Sequence, residues 1–213
     1  MSLKDKIAEL SAQAREKIPP QVMEVMMKAT EKLKKSDIEA GALKKGDKAP
    51  DFTLPDHKGG TTSLAALLAS GPVVISFYHG TWCPYCNLEL KALQERLPEI
   101  TDLGASMIAI SPQTPDNSMT IAEKQALEFD VLSDLGNRVA REFGLVFRLD
   151  ESLRPIYQKF GIDLAGFNAD DSFELPIPAT YVIGGDGVII DAFVDANYVA
   201  RMEPDDIIAA LRA

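Results

Sequence analysis

Two amphipathic patterns open the chain. Leu3, Ile7, Leu10 and Ala14 recur at helical spacing within residues 3–17, and Val22, Val25, Met26, Ala29 and Leu33 do so within 20–36, with a break at Pro19-Pro20. Each stripe needs a surface to cover, either the rest of the chain or a partner subunit. Beyond the polar, glycine-containing stretch from Gly41 to Lys48 the period changes. Phe52-Thr53-Leu54 predicts a short strand before a turn at Asp56–Gly60, and the apolar run from Pro72 to Tyr78 predicts a buried parallel strand. Leu88, Leu90, Leu93 and Leu97 predict a helix from Asn87 to Leu97, and Ser106–Ile110 a second buried strand that ends at Ser111-Pro112. Further helices are expected near 118–129 and 137–143, with Val131-Leu132 extended between them. The pattern is weakest over 145–175, where it supports a helix near 153–160 and a loop over 166–172. Residues 179–183 and 188–194 flank Gly184-Gly185-Asp186-Gly187 and predict a β-hairpin. Pro204, followed by Asp205 and Asp206, starts a last helix that ends near Leu211.

Strand–helix, strand–helix, hairpin and closing helix imply an α/β fold: a mixed sheet with helices on both faces, preceded by a helical extension. The expected division is residues 1–45 for the extension and 46–213 for the α/β domain. With 213 residues, 46% of them hydrophobic, the chain can bury one sizeable core. No apolar stretch approaches the roughly 18 residues that span a membrane. The start, Met1-Ser2-Leu3-Lys4-Asp5-Lys6, carries charge where a signal peptide is apolar, so the expected location is cytoplasmic. A net charge of −10 argues against nucleic acid or an anionic membrane as partner. That charge is uneven, +3 over residues 1–45 and −13 beyond, and the basic excess reads as a solvated helix face.

Both cysteines lie in Trp82-Cys83-Pro84-Tyr85-Cys86, between the buried strand and the helix after it. A helix N-terminus offers unpaired N–H groups and partial positive charge, which favour a thiolate. Residues three apart share a helix face, so the two thiols are placed to form a disulfide. Pro84 suits the first turn because its missing N–H would be unpaired there anyway. Trp82 is expected to shield the thiols. His79, four residues before Cys83, is either a proton donor or the end of the strand. A zinc site normally needs four ligands and only His79 and His57 could join the pair, so neither metal nor cofactor is expected. Inert buried thiols are the bland alternative. The cysteine pair at a strand–helix junction points to redox chemistry on a thioredoxin-like fold.

Gly46-Asp47-Lys48-Ala49-Pro50-Asp51-Phe52-Thr53-Leu54, with Asp56 and Gly59 beyond it, resembles the opening of the AhpC/TSA peroxiredoxin family. The unit from Phe77 to Leu90, the Ile108–Ser111 strand and the Asp186-Gly187 hairpin are similar in the expected order. The likeness covers about residues 46–211. It implies a peroxiredoxin-type thioredoxin fold and a thiol peroxidase that reduces hydrogen peroxide or organic hydroperoxides. Thioredoxin or glutathione/glutaredoxin would be the reductant. The family pattern Pro-x-x-x-Thr-x-x-Cys becomes His79-x-x-x-Cys83-x-x-Cys86. This puts Cys86 at the peroxide-attacking position and Cys83 in place of the threonine. The family's active-site arginine falls at Pro178, where thioredoxins instead place a cis-proline. Ile177-Pro178 is therefore the candidate cis bond, with Pro176 its competitor. Arg148 and Arg154 are candidate substitutes for the arginine.

Three functions follow. The first is a peroxidase cycling through a sulfenic acid and a Cys83–Cys86 disulfide. Alignment makes Cys86 the attacker, whereas the accessibility usual for the first cysteine of such a turn favours Cys83. The second is a thiol–disulfide oxidoreductase with Cys83 attacking and Cys86 resolving. The third is a redox-inactive binding or assembly module using the N-terminal helices, with a homo-oligomer as one partner state open to the chain.

Overall fold

In a computed structural model that describes all 213 residues, the first two stripes form α1 (Leu3–Lys17) and α2 (Pro20–Lys34), and a single turn, α3 (Ile38–Gly41), follows. The α/β body then runs β1 (Thr53–Pro55), β2 (Thr61–Ser63), α4 (Leu64–Leu68), β3 (Val73–Phe77), α5 (Pro84–Asp102), β4 (Ser106–Ser111), α6 (Pro115–Gln125) and β5 (Asp130–Ser133). It continues through α7 (Arg138–Glu142), β6 (Val146–Arg148), α8 (Arg154–Lys159), α9 (Leu164–Asn168) and β7 (Glu174–Pro176), and ends with β8 (Ala179–Ile183), β9 (Ile189–Val194) and α10 (Pro204–Leu211). No helix is long and apolar enough to cross a membrane.

The central sheet has the order β5-β4-β3-β8-β9. β3, β4 and β5 are parallel, β8 pairs antiparallel with β3 and β9 antiparallel with β8, which makes the sheet mixed as expected. β3 lies in the middle and every residue in it, the single polar Ser76 included, is buried, the reason its sequence is a largely apolar run rather than an alternation. Its Val74 faces α5 and α10, packing with Leu90, Leu93, Ile207 and Ile208. Val73, Ile75 and Phe77 face the other way, onto Leu64, Phe143 and Tyr181. Phe143 meets Phe77 and Tyr181 with ring centroids 4.9 and 5.0 Å away. Each such side chain, fully buried, contributes about 1.5–3 kcal/mol.

The N-terminal helices fold back on their own chain. Leu3 and Ile7 of α1 are buried in the core that α5 covers, and a capping box between Ser2 and Asp5 starts the helix. The Glu203 carboxylate accepts from the Leu3 and Lys4 amides at 3.1 and 2.6 Å, a negative charge at the positive end of α1. Charge also ties the extension down: Lys6 pairs with Glu95 at 2.9 Å, Lys32 with Asp150 at 2.7 Å and Lys34 with Asp195 at 3.1 Å. The basic excess of the first 45 residues is thus in part a complement to the acidic body, not solely a solvated face. Each exposed pair contributes about 0–1 kcal/mol.

Two local expectations change. The stretch expected as a loop at 166–172 contains the end of α9, capped by the Asp163 side chain on the Gly166 amide. α6 begins three residues earlier than the apolar pattern suggests, because Pro115 takes a first-turn position.

Candidate functional site

β3 ends at Phe77, and six residues later Cys83 is the N-cap of α5, with Cys86 in its first turn. The connecting loop is held by side chains. Gln113, fully buried, accepts from the Thr81 amide at 2.7 Å and donates to the Thr81 hydroxyl at 3.3 Å, while Asn87 donates to the Thr81 carbonyl at 3.0 Å. Gly80 has φ +151°, and a Cβ there would lie 2.7 Å from Trp82 Nε1 and 2.8 Å from the Gln113 side chain, so glycine alone fits. Trp82 stacks on His79 at 5.6 Å and meets Tyr157 at 5.5 Å, forming an aromatic wall beside the thiols. Both cysteines are free and buried, Cys83 3% exposed and Cys86 0%.

A guanidinium reaches Cys86 from the far end of the chain. Arg201, in the segment between β9 and α10, donates from Nη2 to Cys86 Sγ at 3.4 Å. Its Nε bonds Glu89 Oε2 at 2.7 Å, and Nη1 donates to the carbonyls of Tyr198 and Ala200. The Arg201 and Glu89 side chains are 1% and 2% exposed. Glu89 lies three residues beyond Cys86 on the same face of α5, and its other oxygen accepts from the Thr180 hydroxyl on β8 at 3.3 Å. Carboxylate, hydroxyl and two main-chain carbonyls therefore fix the guanidinium against one sulfur.

The two thiols are driven apart electrostatically. Burial alone would raise Cys86, but a hydrogen bond from Cys83, the Arg201 charge and the His79 backbone N–H outweigh it and bring its pKa down to about 6. Burial, followed by the hydrogen bond to Cys86 and the charge on that sulfur, pushes Cys83 well up. At neutral pH the pair is thus a Cys86 thiolate beside a Cys83 thiol. Burial, with Arg201 adding to it, lowers His79 to about 3, so its ring is neutral and not an imidazolium acid. Burial lifts Glu89 to about 7 against the opposing Arg201 charge. Burial works against the charged form of Arg201 as well, but Glu89 and Cys86 outweigh it and keep Arg201 protonated.

These features can be set beside known proteins. The model of the AhpC/TSA family matches residues 45–192. The chain belongs to the AhpC/TSA family. It is 28% identical over 171 residues to a Mycobacterium tuberculosis protein named as a peroxiredoxin, covering 80% of this chain and 97% of that one. Peroxiredoxin Bcp of Escherichia coli is 33% identical over 103 residues, covering 48% of this chain and 65% of the relative. Among solved structures, BcpB of Mycobacterium tuberculosis superposes with a TM-score of 0.63 at 27% identity, over 80% of this chain and 97% of that one. A 2-Cys peroxiredoxin of Plasmodium vivax shares the fold with a TM-score of 0.61 at 17% identity, covering 79% of this chain and 80% of that one.

Within this family frame, His79, Trp82, Cys83 and Cys86 come together as the sequence suggests, and Pro84 is the exposed first residue of α5. Pro178 is buried and lines a cavity with His79. No peptide bond is cis, so the expectation for Ile177-Pro178, and for Pro176, is corrected. The chain runs extended from β7 directly into β8, which a trans bond serves and a tight cis turn would break. Neither substitute arginine fills the family's position. Arg148 is exposed on β6, and Arg154 lies over the Phe173 ring, 4.1 Å from its centre. The guanidinium that reaches Cys86 is that of Arg201, from a segment with no motif to announce it. Glu89 carried a readable signal, a carboxylate on the leucine-rich side of α5 that could be buried only with a cation.

His79, Cys83 and Cys86 present ligand atoms within 4.8 Å of one another, a set of soft donors able to hold a metal. The guanidinium on Cys86 opposes a second cation there. His57 is remote from this cluster, accepting from the Val131 amide at 3.1 Å.

Proposed function

We propose that this thiol-dependent peroxidase attacks peroxide with the Cys86 thiolate, resolves with Cys83, and uses Arg201 to hold and activate the attacking sulfur. The observation that carries the assignment is the Arg201 Nη2–Cys86 Sγ contact at 3.4 Å. An attacking sulfur must be deprotonated, and a buried guanidinium stabilises the thiolate where water cannot screen it. The same donors face the charge that develops as the O–O bond breaks.

In the first step Cys86 S⁻ attacks one peroxide oxygen. A sulfur–oxygen bond forms, the O–O bond breaks, and the leaving alkoxide or hydroxide takes a proton to depart as alcohol or water. Cys86 is now a sulfenic acid. The Cys83 sulfur then attacks Cys86 Sγ, the hydroxyl departs with the thiol proton as water, and a disulfide joins the two residues. The side chains start within 4.8 Å and must close to about 2.05 Å, a rotation within one turn of α5. A donor of the thioredoxin or glutathione/glutaredoxin kind returns the pair to the dithiol by exchange. Such recycling fits a reducing compartment, the cytoplasm. Disulfide exchange led by Cys83 is the weaker reading, since burial and the neighbouring Cys86 sulfur push the pKa of that thiol well up.

Trp82 is the chain's one tryptophan and adjoins Cys83, so stopped-flow fluorescence can follow the cycle. Cys83→Ser should keep a fast phase whose rate rises with peroxide concentration but lose sustained turnover. Cys86→Ser should lose both. A fast phase surviving in Cys86→Ser and absent in Cys83→Ser would reverse the assignment.

A further inference from the structure

A cavity of about 680 Å³ lies between the two N-terminal helices and the redox loop. Met23, Met26 and Met27 of α2 form one side, and Trp82, Cys83 and Tyr157 line the other. A second space of about 610 Å³ lies under the same helix and shares Met26, His79 and Tyr157 with the first. α2 has an apolar stripe but no fully buried residue, so it spans these spaces rather than filling them. Hydrogen peroxide, scarcely larger than water, needs only about 30 Å³. A volume near 680 Å³ is that of a site for a much larger molecule.

The chemistry of the walls says which kind. Hydrophobic side chains predominate, and methionines reshape around irregular apolar ligands. The inner end is polar and reactive. His79 Nε2 is buried with no hydrogen-bond partner, and His79 and Cys83 place their ligand atoms within 4.8 Å of Cys86 Sγ. An occupant with an apolar body and a hydroperoxide head fits both ends, the head meeting His79 Nε2 beside Cys83, with Cys86 Sγ within 4.8 Å of both, behind the cavity wall. Both helices precede residue 45, where the family model begins to match, so this half of the cavity is an addition to the family frame.

We propose that α1 and α2 form a substrate-binding element that seats the chain of a long apolar hydroperoxide and makes the protein prefer it to hydrogen peroxide. This rests on the peroxidase reading above. It predicts a dependence on chain length, since each methylene taken from water into an apolar site is worth about fourfold in affinity.

The test measures kcat/KM for hydrogen peroxide and for a series of primary alkyl hydroperoxides from butyl to dodecyl. It is run on the full-length wild-type protein and on Met26→Trp and Met23→Trp, which fill the cavity from α2. Calorimetry with dodecanol, which cannot be reduced, reads binding to the wild-type protein without turnover. The expected result is a KM that falls stepwise with chain length, saturable dodecanol binding, and a dodecyl-to-hydrogen-peroxide ratio of kcat/KM that drops about tenfold or more in either tryptophan variant. Turnover with no chain-length trend, or no dodecanol binding to the wild-type protein, would overturn the proposal. Dodecanol binding without reduction of any peroxide would instead sink the peroxidase reading and leave an apolar ligand site.

Discussion

Replacing Arg201 with methionine keeps much of the side-chain volume and removes the charge that faces Cys86. The expected effect follows from two quantities. A unit charge 3.4 Å from a sulfur anion is worth about 5 kcal/mol at an effective dielectric of ~20. Moving Cys86 from its ordinary 9.0 to about 6 takes about 4 kcal/mol at ~1.4 kcal/mol per pH unit. A hydrogen bond from Cys83 is the first cause of that shift and the Arg201 charge the next, large enough that its loss should raise Cys86 from about 6 toward its ordinary 9.0. At a pKa of about 9 the thiolate fraction at pH 7 would fall from about 90% to about 1%, so peroxide oxidation should slow by up to ~90-fold. The pH profile moves with it. In the wild-type protein the rate should be full above pH 7 and fall as pH drops through about 6, whereas in the variant it should still be rising at pH 8. Ultraviolet titration of the thiolate and stopped-flow rates read the two effects separately. Arg201→Met strands the buried Glu89 carboxylate, so the paired variant Arg201→Met/Glu89→Gln, which removes both charges, guards against misfolding. A titration midpoint that stays near 6 in a folded variant, with a rate within about threefold of wild type, would refute the reasoning.

Gly80→Ala should lower the melting temperature by several degrees, a cost of about 2 kcal/mol, because its Cβ would lie 2.7 Å from Trp82 Nε1 and 2.8 Å from the Gln113 side chain; an unchanged thermal transition would contradict this. Cys86 has a folded pKa below its unfolded one, so its contribution to stability is present above pH 9 and is lost as pH falls through about 6. The stability of the reduced wild-type protein relative to Cys86→Ser should accordingly grow between pH 6 and pH 9 in denaturant titrations, and a flat difference would show that the thiolate is not stabilised by the fold. Ile7→Ala removes a buried contact between α1 and the α5 face and should cost about 2–4 kcal/mol. A loss below about 0.5 kcal/mol in chemical denaturation would mean that α1 is not part of the cooperative fold.

The elements that were legible in the sequence are those whose pattern is set locally. β3 is apolar at every position but Ser76 because both of its faces are covered, and Pro204 with two aspartates marks the start of α10. The β6–β7 ladder was not legible, since it pairs Phe147 with Leu175 across a segment of weak periodicity. Nor was β2, three residues whose burial alternates around Thr62 alone. The site divides in the same way. Cys83 and Cys86 are neighbours in sequence and were readable as a pair at a helix start. Arg201 is 115 residues from Cys86, and its role depends on how the segment after β9 crosses the end of α5. The N-terminal stripes were readable as helices, but that they fold over the redox loop follows only from tertiary packing.

The central claim is that Cys86 is the attacking sulfur, and trapping its first oxidation product tests this most directly. The reduced protein is mixed with one equivalent of peroxide in the presence of dimedone, with Cys83→Ser and Cys86→Ser run alongside, and the adduct is located by peptide mass spectrometry. The account predicts rapid labelling of Cys86 in Cys83→Ser, no fast adduct in Cys86→Ser, and a Cys83–Cys86 disulfide in the wild-type protein. Fast labelling of Cys83 in Cys86→Ser would contradict it.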